Sequence, residues 1–239
     1  MTETAVMSQH VITPLFPLKD GTVSPDSSSG DRKELLVDQA RQAAGWMVFK
    51  SASIHYRGIN SAMLAVYITS VQKPGLCGIH ALMKKIIAPE NGVAPSDVKY
   101  DDMPIAALPL DSSYSAQMVL VNITELVQSS AFYGIALRPI RDLSARFSSK
   151  EGFPPPAILV YRDTLNPYVQ PKWWSADDVP DTSVGKAGDF YVRALQGIIY
   201  RKSSGAWDSV ASLTIPPEQP AAPALKKSIR RPLRKKTYR

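Results

Sequence analysis

Few residues of this chain have types and spacing suited to catalysis or metal binding. Cys77 and His80 stand three positions apart, and the other two histidines are His10 and His55. A thiolate nucleophile needs a neighbouring base and a group that orients it, and a zinc site needs three or four ligands. A single cysteine also forms no intrachain disulfide. We therefore interpret Cys77 as a buried thiol near a turn between strands, and the sequence predicts no catalytic residue and no metal ligand.

Two pairs of adjacent aspartates, Asp101-Asp102 and Asp177-Asp178, offer a second kind of chemistry. Two carboxylates about 5–9.5 Å apart cleave glycosidic bonds, and carboxylates combine with loop carbonyls to bind Ca²⁺. A proline follows each pair two residues later, and adjacent aspartates in such loops usually form turns. The sequence contains no phosphate-binding loop, dinucleotide fingerprint or nucleophile elbow. We therefore predict that the protein is not an enzyme and has no cofactor, with a structural Ca²⁺ as an open alternative.

Trp173 and Trp174, with Tyr168 nearby, are the candidate ligand-binding residues. Exposed indole rings stack on the apolar faces of sugars, and aromatic side chains dominate protein interfaces. In the alternative interpretation, one or both indoles pack the surrounding segment against the neighbouring domain.

The net charge of +7 comes from the C-terminal tail. The segment 221–239 contains no acidic residue, and removing its eight cations from the 28 basic residues leaves 20 against 21 acidic ones. Such a tail can neutralise phosphates, bind an anionic lipid surface or bind an acidic partner. Tyr238 is its one aromatic residue, so we do not expect specific recognition of nucleic acid. We favour an acidic partner surface, with phosphate groups as the alternative, for these cations: Lys226, Lys227, Arg230, Arg231, Arg234, Lys235, Lys236 and Arg239.

The rest of the chain is typical of an all-β protein. Short runs with alternating apolar residues are separated by turn clusters such as Lys73-Pro74-Gly75, a pattern that favours a sandwich or jelly roll. In the strand predicted at residues 63–69, the even-numbered residues share one face and the odd-numbered residues share the other. We predict an antiparallel β-sandwich or jelly roll with a small C-terminal β-hairpin or meander and extended termini.

The chain divides into five predicted parts. The small module has too few apolar residues to bury a core alone, so we expect oligomerisation to supply its neighbours. No run of about 18 apolar residues predicts a membrane span, and the N-terminus lacks the basic start and apolar run of a signal peptide. The parts are an extended arm (1–31), the sandwich (32–163), a linker (164–184), the small module (185–215), and a proline spacer with the basic tail (216–239).

Four motifs give the sandwich region a family resemblance. They are a loop at 98–104 (VKYDDMP), a turn segment at 121–127 (VNITELV), a strand at 132–137 (FYGIAL), and the run Ser148-Ser149-Lys150-Glu151 before the strand at 156–161 (PAILVY). Together they resemble the DNRLRE family of disaggregatase-related β-sandwich domains, over about residues 34–162. That resemblance implies a non-enzymatic β domain of secreted, cell-surface or virus-associated proteins.

The small module is similar to a second family. Its Gly-Asp-Phe-Tyr start, tyrosine-ended second strand and Gly-Ala-Trp end resemble a module of bacteriophage tail fibres, over about residues 185–215. The resemblance implies a homotrimer. Its predicted contacts between copies are Gly188, Asp189, Phe190, Tyr191, Tyr200 and Trp207.

The two resemblances lead to one functional prediction. The protein is expected to be a structural or adhesion component of a virion or phage-tail-like particle, as a fibre, tip or decoration protein. It would assemble in the bacterial cytoplasm with other particle proteins and contact a host surface glycan or receptor. The alternative is a carbohydrate-binding module of a secreted or cell-surface protein.

Overall fold

The computed structural model describes residues 10–25, 27–29, 33–50, 58–129, 132–163 and 170–214. Five residues, Thr124–Gln128 (α1), form the α-helix of this part of the chain, and the predicted all-β class is confirmed. The strands in chain order are β1 (His10–Leu15), β2 (Pro17–Ser24), β3 (Ser27–Ser29), β4 (Glu34–Asp38), β5 (Ala44–Phe49), β6 (Ser61–Lys73), β7 (Gly75–Ala81), β8 (Ala106–Leu110), β9 (Gln117–Asn122), β10 (Ile135–Arg141), β11 (Ser144–Ser148), β12 (Ala157–Asp163), β13 (Trp173–Ala176), β14 (Phe190–Arg193), β15 (Ile198–Lys202) and β16 (Trp207–Ser212).

Two six-stranded antiparallel sheets form the predicted sandwich. The first sheet has the order β1-β12-β6-β11-β4, with β9 also paired to β6, and the second has the order β3-β2-β5-β10-β7-β8. Between them lies the first core, to which both sheets contribute fully buried side chains such as Leu64, Phe147, Met47 and Ile135. Burial of this apolar area is the main stabilising contribution to the fold.

Strand β6 shows why the two sheets are followed by a third layer. Its even-numbered residues Leu64, Val66 and Ile68 face the first core, as the alternation predicts. Its odd-numbered residues Ala65 and Tyr67 are also buried, in a separate apolar cluster on the outer face of the first sheet. An antiparallel sheet with two apolar faces needs a cover on both sides.

The C-terminal strands supply that cover. Strands β13 to β16 form a four-stranded sheet in chain order, in which β14, β15 and β16 make the predicted meander and β13 runs parallel to β14. Phe190, Val192 and Ile199 of this third sheet pack on Tyr161 and other residues of the first sheet, and this cluster is the second core. The small sheet therefore buries its apolar face within its own chain, so packing alone does not require a partner.

Strands also occur in two segments that the sequence assigned to an arm and a linker. In the predicted arm, β1 pairs with β12 of the first sheet and β2 pairs with β5 of the second, so the chain crosses between sheets at Phe16. Pro14 and Pro17 made strands look unfavourable from the sequence. Proline is nevertheless accommodated at a sheet edge, as in β1, and at the first residue of a strand, as in β2. In the predicted linker, β13 lies at the edge of the third sheet.

A long connection covers part of the outer face of the second sheet. Ile86, Val93 and Val98 of the connection between β7 and β8 pack on Trp46 and Ala136 of the sheet. These five residues belong to the third apolar cluster, which fixes the connection in place. The connection forms one wall of the candidate site.

Candidate functional site

A groove opens on the outer face of the second sheet, next to the connection between β7 and β8. Its volume is about 770 Å³, within the range of small-molecule sites. Strands β2, β5, β7 and β10 form its floor, the connection forms one wall, and the turn between β4 and β5 forms the other. The residues that line it are Val23, Ser24, Pro25, Gln39, Gln42, Ala44, His80, Pro95, Val98, Tyr100, Asp102, Pro104, Arg138, Pro139 and Ile140.

Arg138 is the cation of this groove. Its side chain comes from β10 and is half-buried, and its guanidinium carbon lies 4.1 Å from the centroid of the Tyr100 ring. A guanidinium over an aromatic face can still donate from the N–H groups at its edge. Within the part of the chain that the structure describes, no carboxylate forms an ion pair with Arg138.

His80 lies beside Arg138 on the floor of the groove and is 2% exposed. Its Nδ1 is 2.7 Å from the backbone carbonyl oxygen of Asp101; because a carbonyl only accepts, the proton sits on Nδ1. Its Nε2 is buried and has no hydrogen-bond partner among the described residues. Burial lowers the pKa of His80, which favours the neutral ring with a free acceptor at Nε2.

Gly78 makes room for this ring. A Cβ atom at position 78 would lie 2.5 Å from His80 Nε2 and 2.9 Å from Cδ1 of Ile140, so the histidine and isoleucine side chains share the space above the glycine. Ile140 is 40% exposed at the edge of the groove. A larger residue at position 78 would displace the imidazole.

Cys77 and His80 lie on opposite faces of strand β7, so they do not form a joint site. Cys77 faces the first core and is fully buried, whereas His80 faces the groove on the opposite side of β7. Residues three apart in a strand point to opposite faces. Burial raises the pKa of the Cys77 thiol to about 12, so the interpretation of Cys77 as a buried thiol is confirmed.

Cys77 is expected to be unreactive in the native protein. A thiol reagent such as DTNB should modify it at least about a thousand times more slowly in buffer than in 6 M guanidinium chloride, because the thiolate is both rare and inaccessible. The unfolded protein should release one equivalent per chain, since the sequence has one cysteine. Equal rates in the two solvents would contradict the position of Cys77 in the core.

The two aspartate pairs lie at separate places, and in the described part of the chain only Asp101 makes the local hydrogen bond of a turn. The Asp101 carboxylate accepts a hydrogen bond from the backbone N–H of Met103 at 3.1 Å, beside the groove. The Asp177 carboxylate accepts one from the backbone N–H of Leu195 at 3.1 Å, next to the third sheet. The pairs lie on different layers of the molecule, so they do not converge as the acid and base of a hydrolase.

The predicted tryptophan pair is divided between two environments. Trp173 packs on the second core, and its indole N–H donates to the Ser61 hydroxyl oxygen at 3.2 Å. Trp174 is 38% exposed. Tyr168 lies outside the described residues. Trp173 therefore attaches its segment to the sandwich, as in the alternative interpretation, and Trp174 is the accessible indole of the pair.

Phe190 and Asp189 are two of the three predicted oligomer contacts that are buried inside the chain. The Phe190 ring stacks on Trp173 with centroids 4.6 Å apart and is fully buried. The Asp189 carboxylate accepts hydrogen bonds from the backbone N–H groups of Lys172 and Lys186, both at 3.0 Å. Both residues therefore hold the third sheet together and cannot be surface contacts in this fold.

The remaining predicted oligomer contacts belong to the outer side of the third sheet. The rings of Tyr191 and Trp207 lie 5.7 Å apart, and the Trp207 indole N–H donates to the carbonyl oxygen of Asp181 at 2.9 Å. Gly188 has a φ of +95°, a conformation that favours glycine. Tyr191 is buried, whereas Gly188, Tyr200 and Trp207 keep part of their surface exposed. A contact with another copy would involve those three.

The sequence reasoning missed a carboxylate cluster at one end of the sandwich. Oxygens of Asp20, Glu90 and Glu151 lie within 4.8 Å of one another. The Lys150 ammonium lies 3.1 Å from a Glu90 carboxylate oxygen and also forms an ion pair with Glu151. The backbone N–H of Lys150 donates a hydrogen bond to the Asp20 carboxylate at 2.6 Å. Three carboxylates can hold a cation, but here the ammonium already supplies positive charge. The signal was the Ser-Ser-Lys-Glu run, whose partners lie far away in the sequence.

Comparison with known proteins adds no relative to this description. No family model matches the chain, and no curated protein matches it, so the two family resemblances stay predictions. None of the helices in the described ranges is long and apolar enough to cross a bilayer. The eight cations of the tail lie outside the described residues, and their predicted acidic contacts stay a prediction as well.

Proposed function

We propose that the protein is a non-enzymatic structural and adhesion component of a virion or phage-tail-like particle, as a fibre, tip or decoration protein. One observation carries this proposal. Asp189, Phe190 and Trp207 belong to the fibre-type pattern of the C-terminal segment. Asp189 and Trp207 make hydrogen bonds within the third sheet and its flanking residues, and Phe190 packs the third sheet on the sandwich. The residues of the pattern therefore have structural roles in this chain, which supports the assignment of a fibre-type module.

The architecture supports a structural or binding role rather than catalysis. Three stacked sheets with apolar layers between them make a rigid body. The two aspartate pairs lie too far apart in the fold to act together. The particle would assemble in the bacterial cytoplasm, and the basic tail would bind an acidic surface of a neighbouring particle protein.

Particle composition tests this assignment. Particles purified from the source organism by density gradient and analysed by mass spectrometry are expected to contain the protein at a constant ratio to the major structural protein. The ratio should survive a high-salt wash that removes loosely bound protein. A protein that stays in the non-particle fraction throughout would contradict the proposal.

Light scattering after size-exclusion chromatography tests the homotrimer. The full chain at micromolar concentration is expected to have three times the mass of one chain. We place the contacts on the outer side of the third sheet, where β16 ends the sheet and Val210 is 46% exposed. Val210→Asp should then reduce the mass to that of a monomer, whereas Val179→Asp, exposed outside the strands, should not. A wild-type monomer would contradict the trimer.

Carbohydrate binding is the second candidate function, and one observation favours it. The groove beside Arg138 combines a cation, a buried acceptor and proline walls. The indole pair does not support sugar binding, because Trp173 is partly buried and packs against the second core. A glycan contact would therefore use the groove.

A further inference from the structure

We propose that the groove on the second sheet binds an acidic sugar, with the sugar carboxylate on Arg138 and a sugar hydroxyl on His80. The proposal deepens the adhesion part of the proposed function by naming the ligand class and its residues. It stands independently of whether the protein belongs to a particle.

The Arg138 guanidinium selects the anionic group. It is half-buried, stacked on Tyr100 at 4.1 Å, and without an ion-pair partner among the described residues. A planar guanidinium presents two parallel N–H donors that match the two oxygens of a carboxylate. Moving a guanidinium out of water without a counter-charge costs free energy. An anion that binds Arg138 in the groove would compensate for this lost hydration.

His80 selects a hydroxyl donor next to that anion. Because Nδ1–H is committed to the carbonyl oxygen of Asp101, Nε2 is an acceptor that lacks a donor. Ile140 Cδ1 shares the space over Gly78 with Nε2, and the 40% exposed Ile140 side chain would have to rotate away to admit a ligand hydroxyl. A buried acceptor that gains a hydrogen bond contributes more than a solvated one.

The remaining walls favour a sugar acid over a polyphosphate. Arg138 is the one cation among the lining residues, and Asp102 is a carboxylate at the rim, so a ligand with several phosphates would be repelled at one end. The amides of Gln39 and Gln42 and the Asp102 carboxylate suit hydroxyl groups, which both donate and accept. Four prolines line the groove and restrict its backbone, which lowers the entropic cost of binding.

Isothermal titration of the full chain tests the site. The probe is an oligogalacturonate, a chain of uronic acids, and maltotriose is the neutral sugar control. Saturable binding of the oligogalacturonate with at least about tenfold weaker binding of maltotriose is expected, as the loss of one charge-assisted bidentate contact predicts. Absence of saturable oligogalacturonate binding would overturn the proposal, while the particle assignment would be unaffected.

Two arginines of the same strand provide matched variants. Arg138→Gln should weaken oligogalacturonate binding about tenfold or more, and Arg141→Gln, which changes an exposed arginine of β10, should leave it unchanged. Equal losses in both variants would show only general charge attraction and would overturn the site. Poly-glutamate that binds as tightly as the oligogalacturonate would likewise overturn the sugar assignment.

The histidine ring gives a readout that does not depend on charge. In ¹H–¹³C spectra of the protein, the ring signals of His80 should shift on addition of oligogalacturonate and saturate with the affinity measured by titration. Saturable binding that leaves the His80 signals in place would overturn its assigned role.

Discussion

Replacing Phe190 with alanine is expected to lower the free energy of unfolding by about 3–5 kcal/mol, the range measured when a buried aromatic side chain is removed. Phe190 is fully buried within its own chain. Its ring contacts Tyr161 edge-on at 5.0 Å and stacks on Trp173 at 4.6 Å. The loss would therefore remove the central contact between the third sheet and the first. Urea unfolding followed by tryptophan fluorescence measures it.

Leu195→Ala is the matched control for Phe190→Ala. Leu195 lies in the turn between β14 and β15 of the same sheet but is 46% exposed, so its truncation should change the free energy of unfolding by no more than about 0.5 kcal/mol. Equal effects of the two substitutions would show that the third sheet does not depend on the second core. The docking of this sheet would then be contradicted.

The stability advantage of the wild type over an Asp20→Asn variant is expected to decline as pH rises. Burial raises the pKa of the Asp20 carboxyl from 3.8 to about 7, against the opposing hydrogen bond from the Lys150 backbone. The folded state therefore binds a proton that the unfolded state has lost. The contribution is complete below the unfolded pKa and disappears as pH rises to about 7, a change of roughly 4 kcal/mol for a full shift of this size.

Urea unfolding at pH 4.5 and pH 8 measures this dependence. The difference between wild type and Asp20→Asn isolates Asp20, because all other titrating groups are shared. Asp111→Asn is the control: this carboxyl is exposed, and hydrogen bonds from Ser113 lower its pKa, so its contribution has the opposite sign. A wild-type advantage over Asp20→Asn that is the same at both pH values would contradict the burial of an ionisable Asp20.

The neighbours of Asp20 explain why the group is tolerated. Burial opposes the charge of Lys150, but hydrogen bonds to Glu151 and Glu90 outweigh it and raise the pKa of the ammonium. The cation is thus held in place at neutral pH beside the three carboxylates. Removing one member of such a cluster leaves the others incompletely compensated.

The sequence predicted the layers better than their arrangement. The alternation in β6 correctly separated the two faces of the strand, because side-chain direction has period two whatever the neighbours are. It did not show that the third sheet covers the odd-numbered face, since the pairing of Ala65 and Tyr67 with Phe190 and Ile199 is a contact between distant segments. The same limit applies to β1 and β2, whose prolines mask the pattern of an edge strand.

The candidate groove was beyond local sequence reasoning for a related reason. The spacing in the sequence pairs His80 with Cys77, yet β7 turns the two side chains to opposite faces. The contact between Arg138 and Tyr100 joins residues 38 positions apart, and no local motif marks it. Tertiary pairing, rather than spacing, creates this site.

Everything proposed for the C-terminal segment depends on the third sheet being part of the same folded body as the sandwich. Native-state hydrogen exchange of the full chain tests this most directly. Backbone amides of β14 and β15 are expected to be protected to nearly the same free energy as those of β6, because the second core joins them. Amides of β14 and β15 that exchange as in an unfolded peptide, while those of β6 stay protected, would contradict it.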